Sequence, residues 1–323
     1  MARPAGRKRP RPDNLLARSD NEAVTLVSAA AVPEPGWSHV LTAWTFQPLV
    51  VVPLVAAAWL YLAGVRRVAE RYPLVPWPIH RTAWFLSGLA ILGLALESPV
   101  DIYSNVFLWV HMIQHLLIMN FVAISILLAA PITLALRASS TETRRRWLHP
   151  ILQSRPVKVL SYPLVTWLLF GFVLVVAHFT PLYERSLEHQ WIHDLEHMLF
   201  LAGGLLFWWP IVGLDPSPWR LPHPLRILYA FLAIPVNTFV ALAIYSSQIV
   251  LYGYYSQVPR TWGPSPLTDQ HWAGAIMWLA GDMMLMAAVI VVALGWMKHD
   301  EAEARRIDAR LDAEEARRAA LER

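Results

Sequence analysis

The chain has no cysteine in its 323 residues. That excludes disulfides, thiolate metal sites and cysteine nucleophiles, and it leaves the redox compartment open. Charge is scarce as well: Asp, Glu, Lys and Arg make up 15% of the chain, where a soluble domain carries about 25%. No alternating strand pattern occurs, no internal repeat stands out beyond one pair of histidine motifs, and neither a His-Glu-x-x-His zinc signature nor a serine-nucleophile signature appears. Hydrolytic chemistry is therefore not indicated. The net charge of +4 is spread through the gaps between apolar runs, so it does not form the basic patch that nucleic-acid binding needs.

Apolar residues are abundant instead, at 56%, with 16 Trp and 25 Pro. Such a composition suits membrane helices with interfacial aromatic belts and short loops. Seven runs are long enough to span a bilayer as helices, near residues 46–64, 81–98, 105–130, 160–179, 193–213, 226–251 and 271–296. Pro131 is expected to end the third, Trp208-Trp209-Pro210 to close the fifth, and Pro235 to kink the sixth. Gly203-Gly204 in the fifth permits close approach of a neighbouring helix. The fold expected is an all-α bundle of seven transmembrane helices.

Lys and Arg in the loops set the orientation. Arg66, Arg67, Arg71 and Arg81 follow the first span, while Arg137, Arg144, Arg145, Arg146, Arg155 and Lys158 follow the third. Arg220 and Arg226 follow the fifth, and the opposite side offers only Arg185 and Arg260. This bias places the N-terminus outside and the C-terminus in the cytoplasm. The basic cluster Arg7, Lys8, Arg9 and Arg11 opposes it from far upstream.

Three regions result: a polar arm at 1–39, a membrane domain at 40–297 and a charged helical tail at 298–323. The arm contains a short apolar patch, Ala23–Val32, with Ser28-Ala29-Ala30-Ala31. It reads as a flexible extension or as a signal segment with a small-residue cleavage site. In the tail, Glu301 with Arg305 and Glu314 with Arg318 have favourable helical spacing.

Chemistry concentrates in His111-Met112-Ile113-Gln114-His115 and its counterpart His193-Asp194-Leu195-Glu196-His197. Four-residue spacing stacks two imidazoles on one helix face. Ionisable groups inside a membrane are costly and mark function. His111 and His115 fall about 9–15 Å inside the third run, and His193 and His197 occupy the first turns of the fifth. Both runs enter from the outside, so the pairs match in depth and the site is expected to open outward. Met119 continues the first pair by one turn, and Glu196 lies beside the second. His271, Asp282 and Met286 share a sector of the seventh run, entered from the same side. Glu97, Asp101 and His178 also sit toward that mouth.

Imidazole with thioether and without thiolate suits copper, Cu(I) above all, with zinc a weaker choice. Such a site loses affinity as pH falls through the imidazole range near about 6.5. Haem is the rival ligand, held by one histidine from each helix. A metal permease would need a continuous polar path, and the inner halves of the third and fifth runs are too apolar for one. A structural chaperone would use the histidines only as hydrogen-bonding groups. Met112, Met198, Met277, Met283 and Met284 read as core filling, and Glu196 and Gln114 as supports for the ligands.

The segment from His111 to Met119 resembles the third-span signature of the multi-span CtaG family of bacterial cytochrome c oxidase assembly factors. His193-Asp194-Leu195-Glu196-His197, running on to Leu206-Phe207-Trp208-Trp209-Pro210, resembles that family too. Asp269-Gln270-His271-Trp272-Ala273-Gly274-Ala275-Ile276-Met277-Trp278 is similar to a third block. The likeness covers about 40–297. It implies a seven-span protein of the bacterial cytoplasmic membrane that catalyses no reaction and helps deliver copper to the catalytic subunit of a haem-copper oxidase. An external copper donor protein would supply the metal. A single-span family of the same name relies on copper-binding cysteines and is excluded by their absence.

Overall fold

In the computed structural model, the described residues are Glu34, Gly36 and 42–321. The arm and its candidate cleavage site lie almost wholly outside them. Every regular element among the described residues is helical. Six helices are long and apolar enough to cross a membrane, and a bent pair makes a seventh if counted as one span. They are α1 (Pro48–Arg71), α2 (Ile79–Glu97), α3 (Leu108–Ala138), α4 (Pro163–Phe179), α5 (Gln190–Val212), α6 (His223–Ser246) and α7 (Pro266–Leu321). The fourth span is the bent one: α4 turns by 66° into the short helix Leu182–Glu188. The protein is thus a polytopic membrane bundle.

Helix α3 lies at the centre, packed against α2, α5 and the start of α7, while α6 lies along α7 and α4 along α5. Its burial explains its sequence. Met112, Ile118, Met119, Ala123 and Leu127 are enclosed with Phe200 and Phe207 of α5 in the main core. Helix α1 is peripheral and turns Leu49, Val52, Val55 and Trp59 outward, as a lipid-facing surface requires.

Three local features depart from a uniform reading of the helices. Residues Leu117–Val122 form a π-helical segment directly after His115, so side chains beyond it are rotated relative to a regular helix. The third span does not stop at Pro131. It breaks at Ala130, whose φ of 50° is left-handed, and resumes as a helix to Ala138. Asp215 secures the restart by accepting hydrogen bonds from Ile132 N and Thr133 N, the groups a helix N-terminus leaves unpaired. In α7, the charged segment after Met297 continues the same helix without a break. Glu301 and Arg305 lie 3.9 Å apart in it, a spacing with little effect on stability at an exposed site.

The start of α3 is tied to α7. Asp269 accepts hydrogen bonds from Leu108 N at 3.1 Å and Trp109 N at 2.9 Å, and Arg260 pairs with it at 2.8 Å in a buried setting. One carboxylate therefore caps the helix that carries His111 and His115. Helix α5 ends at Gly213, which takes the left-handed conformation with φ of 62°, a usual helix stop.

Between α3 and α5 the backbones nearly touch. A Cβ on Gly204 would overlap the Met119 carbonyl, whereas one on Gly203 would meet Met119 Cε and Val173 at 3.7 Å, an ordinary contact. Trp208 Nε1 donates to Asn120 Oδ1 at 3.2 Å just beyond this crossing. Gly204→Ala is therefore expected to destabilise the purified protein by about 1–3 kcal/mol, the usual cost of overpacking, and Gly203→Ala by much less. Thermal unfolding in detergent measures both, and equal effects would contradict the close-approach argument.

Candidate metal centre

Helices α3 and α5 bring the two histidine pairs together. Ring centroids lie 4.2 Å apart for His111–His115 and for His193–His197. Across the helices they are 5.2 Å apart for His111–His193, 6.4 Å for His111–His197 and 5.7 Å for His115–His197. All four rings are buried, from 0% exposure at His111 to 7% at His197. Glu196 joins them: ligand atoms of His111, His193 and Glu196 all lie within 4.8 Å of one another. The carboxylate that reads as a support in the sequence is thus placed as closely as the imidazoles.

The hydrogen bonds assign tautomers. Tyr255 carries one hydroxyl proton and lies 2.9 Å from the Ser104 carbonyl, which only accepts. The Tyr255 oxygen then accepts from His111 Nδ1 at 3.4 Å, which leaves His111 Nε2 without a proton. That nitrogen lies 2.8 Å from His115 Nε2, so His115 Nε2 is the donor. Buried and without a hydrogen-bond partner are His115 Nδ1, His193 Nε2, His197 Nε2 and both Glu196 oxygens. Unpaired polar atoms at this depth are costly. A cation among them would satisfy several together.

The site is closed rather than open at the mouth. Tyr183 sits 5.1 Å from His111, and its hydroxyl is 3.3 Å from that of Tyr255. Both rings are almost fully enclosed, as is Tyr252, which donates to the His178 carbonyl at 3.2 Å. The short helix Leu182–Glu188 carries Tyr183 over the histidines, and Gly253–Gln257 carries Tyr255, with Tyr252 at its N-cap. Burial pushes the Tyr252 and Tyr255 hydroxyls well above their ordinary value, so they remain neutral donors. Nothing in their sequence spacing marks these tyrosines, because they come from turns that fold back.

His178, expected from the sequence to sit toward the mouth, is buried beside the cluster and stacks on Tyr183 at 6.3 Å. Its signal was legible as an ionisable group in an apolar run. Met119 is also buried and lines a small cavity with His115 and His178. The remaining candidates lie elsewhere. His271 Nε2 is 2.9 Å from the Ser247 carbonyl. Asp282 accepts from Asn237 at 2.9 Å and Thr238 at 2.6 Å, a satisfied link between α7 and α6. Met286 is 44% exposed.

A lateral cleft of about 450 Å³ reaches the cluster between α1, α2 and α5. Its walls are mainly apolar, including Leu54, Phe85 and Leu89, and Asp101, Asp194 and His197 also line it. Gln114 bridges the acidic group and α2, donating to Asp101 Oδ1 at 3.0 Å and to the Ala95 carbonyl at 2.8 Å.

A helical membrane bundle around a buried histidine–carboxylate cluster defines the class. Within it, residues 59–299 match the model of the cytochrome c oxidase caa3 assembly factor family, Caa3_CtaG, and the chain belongs to that family. It is 32% identical over 289 residues to the uncharacterized proteins Mb0105 of Mycobacterium bovis and MT0111 of Mycobacterium tuberculosis. Identity to ML1998 of Mycobacterium leprae is 30% over 285 residues. Each alignment covers 86–87% of this chain and 43% of the relative, so the chain spans less than half the length of these proteins. No solved structure matches it.

Burial raises the Asp101 carboxyl from 3.8 to about 6, against the lowering effect of the Gln114 hydrogen bond and with a further rise from the Glu97 charge. The folded protein thus holds this proton more tightly than the unfolded chain. The stabilisation is complete below about pH 4 and is lost as pH rises through about 6. Wild type is expected to lose thermal stability relative to Asp101→Asn across that window. A difference independent of pH would contradict this assignment.

Proposed function

We propose that the protein binds copper at His111, His115, His193 and His197, with Glu196 as a fifth ligand or charge partner, and passes it to the catalytic subunit of a haem-copper oxidase. The metal is cargo, not a resident cofactor, and the protein catalyses no reaction. The observation that carries this reading is the cluster of buried imidazole nitrogens and carboxylate oxygens that lack partners within the fold. Imidazoles without thiolates suit copper, and membership in an oxidase assembly family supplies the recipient. The two helices that carry the rings nearly touch at Gly204 and Met119, which leaves no room for a porphyrin between them, and His197 is the one of the four that lines the larger cleft. Haem binding is therefore the weaker reading.

We place the protein in the bacterial cytoplasmic membrane, with its N-terminus outside and its C-terminus in the cytoplasm, following the distribution of Lys and Arg. The histidine-bearing ends of α3 and α5 then face outward, where an external donor protein supplies copper. The three-part division at 1–39, 40–297 and 298–323 stands as part of the same proposal. The tyrosine cover implies that loading requires a local movement of Leu182–Glu188 or Gly253–Gln257, or passage through the lateral cleft. Transfer depends on that movement, because a cage that stayed closed would hold copper too firmly.

Cells whose own copy is replaced by the His111→Ala/His193→Ala variant test the reading. Their membranes are expected to contain normal amounts of the variant protein and an oxidase that keeps its haem. Oxidase copper and activity should fall at least about tenfold, as expected when two ligands of a transition-metal site are removed. Normal copper and activity in the oxidase would support a metal-free chaperone instead.

A further inference from the structure

We propose a second Cu(I) site, one step deeper in the bundle, formed by His115, His178 and the thioethers of Met112, Met119 and Met277. It rests on the copper reading above and deepens it by giving the ion a place to go. These five side chains line a cavity of about 30 Å³ between α3, α4, α5, α6 and α7. A space of that size holds one water or one ion. It is distinct from the His111–His193–Glu196 group and shares with the four-histidine cluster only His115.

Hydrogen bonding leaves both imidazoles with an unprotonated nitrogen. His178 Nδ1 lies 2.7 Å from the Leu174 carbonyl, and a carbonyl only accepts. The proton is therefore on Nδ1, and Nε2 carries a lone pair. That nitrogen is buried without a partner. His115 reaches the same state through the chain already described: Tyr255 is committed to Ser104, His111 to Tyr255, and His115 Nε2 to His111. The proton on His115 is then on Nε2, and its Nδ1 is the second buried, unpartnered lone pair. One imidazole thus belongs to the upper cluster through one nitrogen and is free to serve the lower cavity through the other.

The other walls supply soft donors. Met112, Met119 and Met277 are each at most 4% exposed. The two amides in the wall are engaged: Asn120 Oδ1 accepts from Trp208, and Asn237 Nδ2 donates to the Met277 carbonyl and to Asp282. No carboxylate lines the cavity. Two neutral imidazoles and three thioethers, without a compensating negative charge, favour a soft monovalent ion over zinc or Cu(II). The upper cluster has Glu196 and the lower site has sulfur, so an ion moving inward exchanges oxygen and nitrogen ligands for nitrogen and sulfur ones. His115 links the two sites, holding His111 through its Nε2–H and offering the Nδ1 lone pair to the lower ion.

Anaerobic Cu(I) titration of the full chain in detergent, against a chromophoric chelator, tests the assignment together with X-ray absorption. Wild type is expected to bind about two ions per chain. Met119→Leu/Met277→Leu, a volume-conserving change, should bind about one and show no sulfur scatterer. His193→Ala/Glu196→Gln should also bind about one, with sulfur retained. His178→Asn gives a separate check on the imidazole, and the methionine pair keeps the test valid if that variant does not fold. A single ion in wild type, unaffected by the methionine changes and without sulfur, would overturn the second site and leave the first standing. The cavity would then hold water. No copper in any protein would overturn both.

Discussion

The contact between Gly204 and the Met119 backbone governs how the chemistry is assembled. Two helices that each carry imidazoles at four-residue spacing bring the rings within ligand distance only if their axes run very close together. A glycine at the crossing removes the side chain that would hold them apart. The crossing lies just inward of the histidines, so a small change there is amplified at the rings. Asn120 with Trp208 on one side and Asp269 on the other hold α3 against sliding or rotating. The geometry of the histidine–carboxylate cluster is therefore a consequence of helix packing.

Burial then determines what the cluster can do. Glu196 and four imidazoles sit in an apolar, tyrosine-covered space in which both carboxylate oxygens and three ring nitrogens are buried without an internal partner. In water those atoms would be solvated. A bound cation would offset their desolvation here, and would couple metal binding to the stability of the histidine end of the bundle. Tyr255, part of the cover, also fixes the tautomers of His111 and His115, so the cover and the histidines form one network.

Much of this was legible in the chain. Hydropathy located the spans, and two His-x-x-x-His motifs in runs of the same direction implied facing pairs. Gly203-Gly204 marked a close crossing. Other parts depended on three-dimensional neighbours. Helical arithmetic placed Asp282 and Met286 in one sector with His271, but α6 claims Asp282 through Asn237 and Thr238, and Met286 faces outward. The π segment at Leu117–Val122 rotates α3 in a way that no residue pattern announces. Tyr183 and Tyr255 arrive from short helices in the turns. Glu196 reads from the sequence as a support for the ligands, yet its carboxylate lies within 4.8 Å of the His111 and His193 ligand atoms. Asp269, part of a recognisable sequence block, caps α3 rather than binding a ligand.

The most direct test of the central claim is the metal and haem content of the purified full chain. Elemental analysis and an absorption spectrum would compare wild type with a variant in which His111, His115, His193 and His197 are all Gln. Both would be checked for a monodisperse folded state. Copper is expected in the wild type after exposure to Cu(I), with its loss in the folded variant and no haem band in either. Copper retained by the variant, copper absent from both, or a haem spectrum in the wild type would contradict the claim.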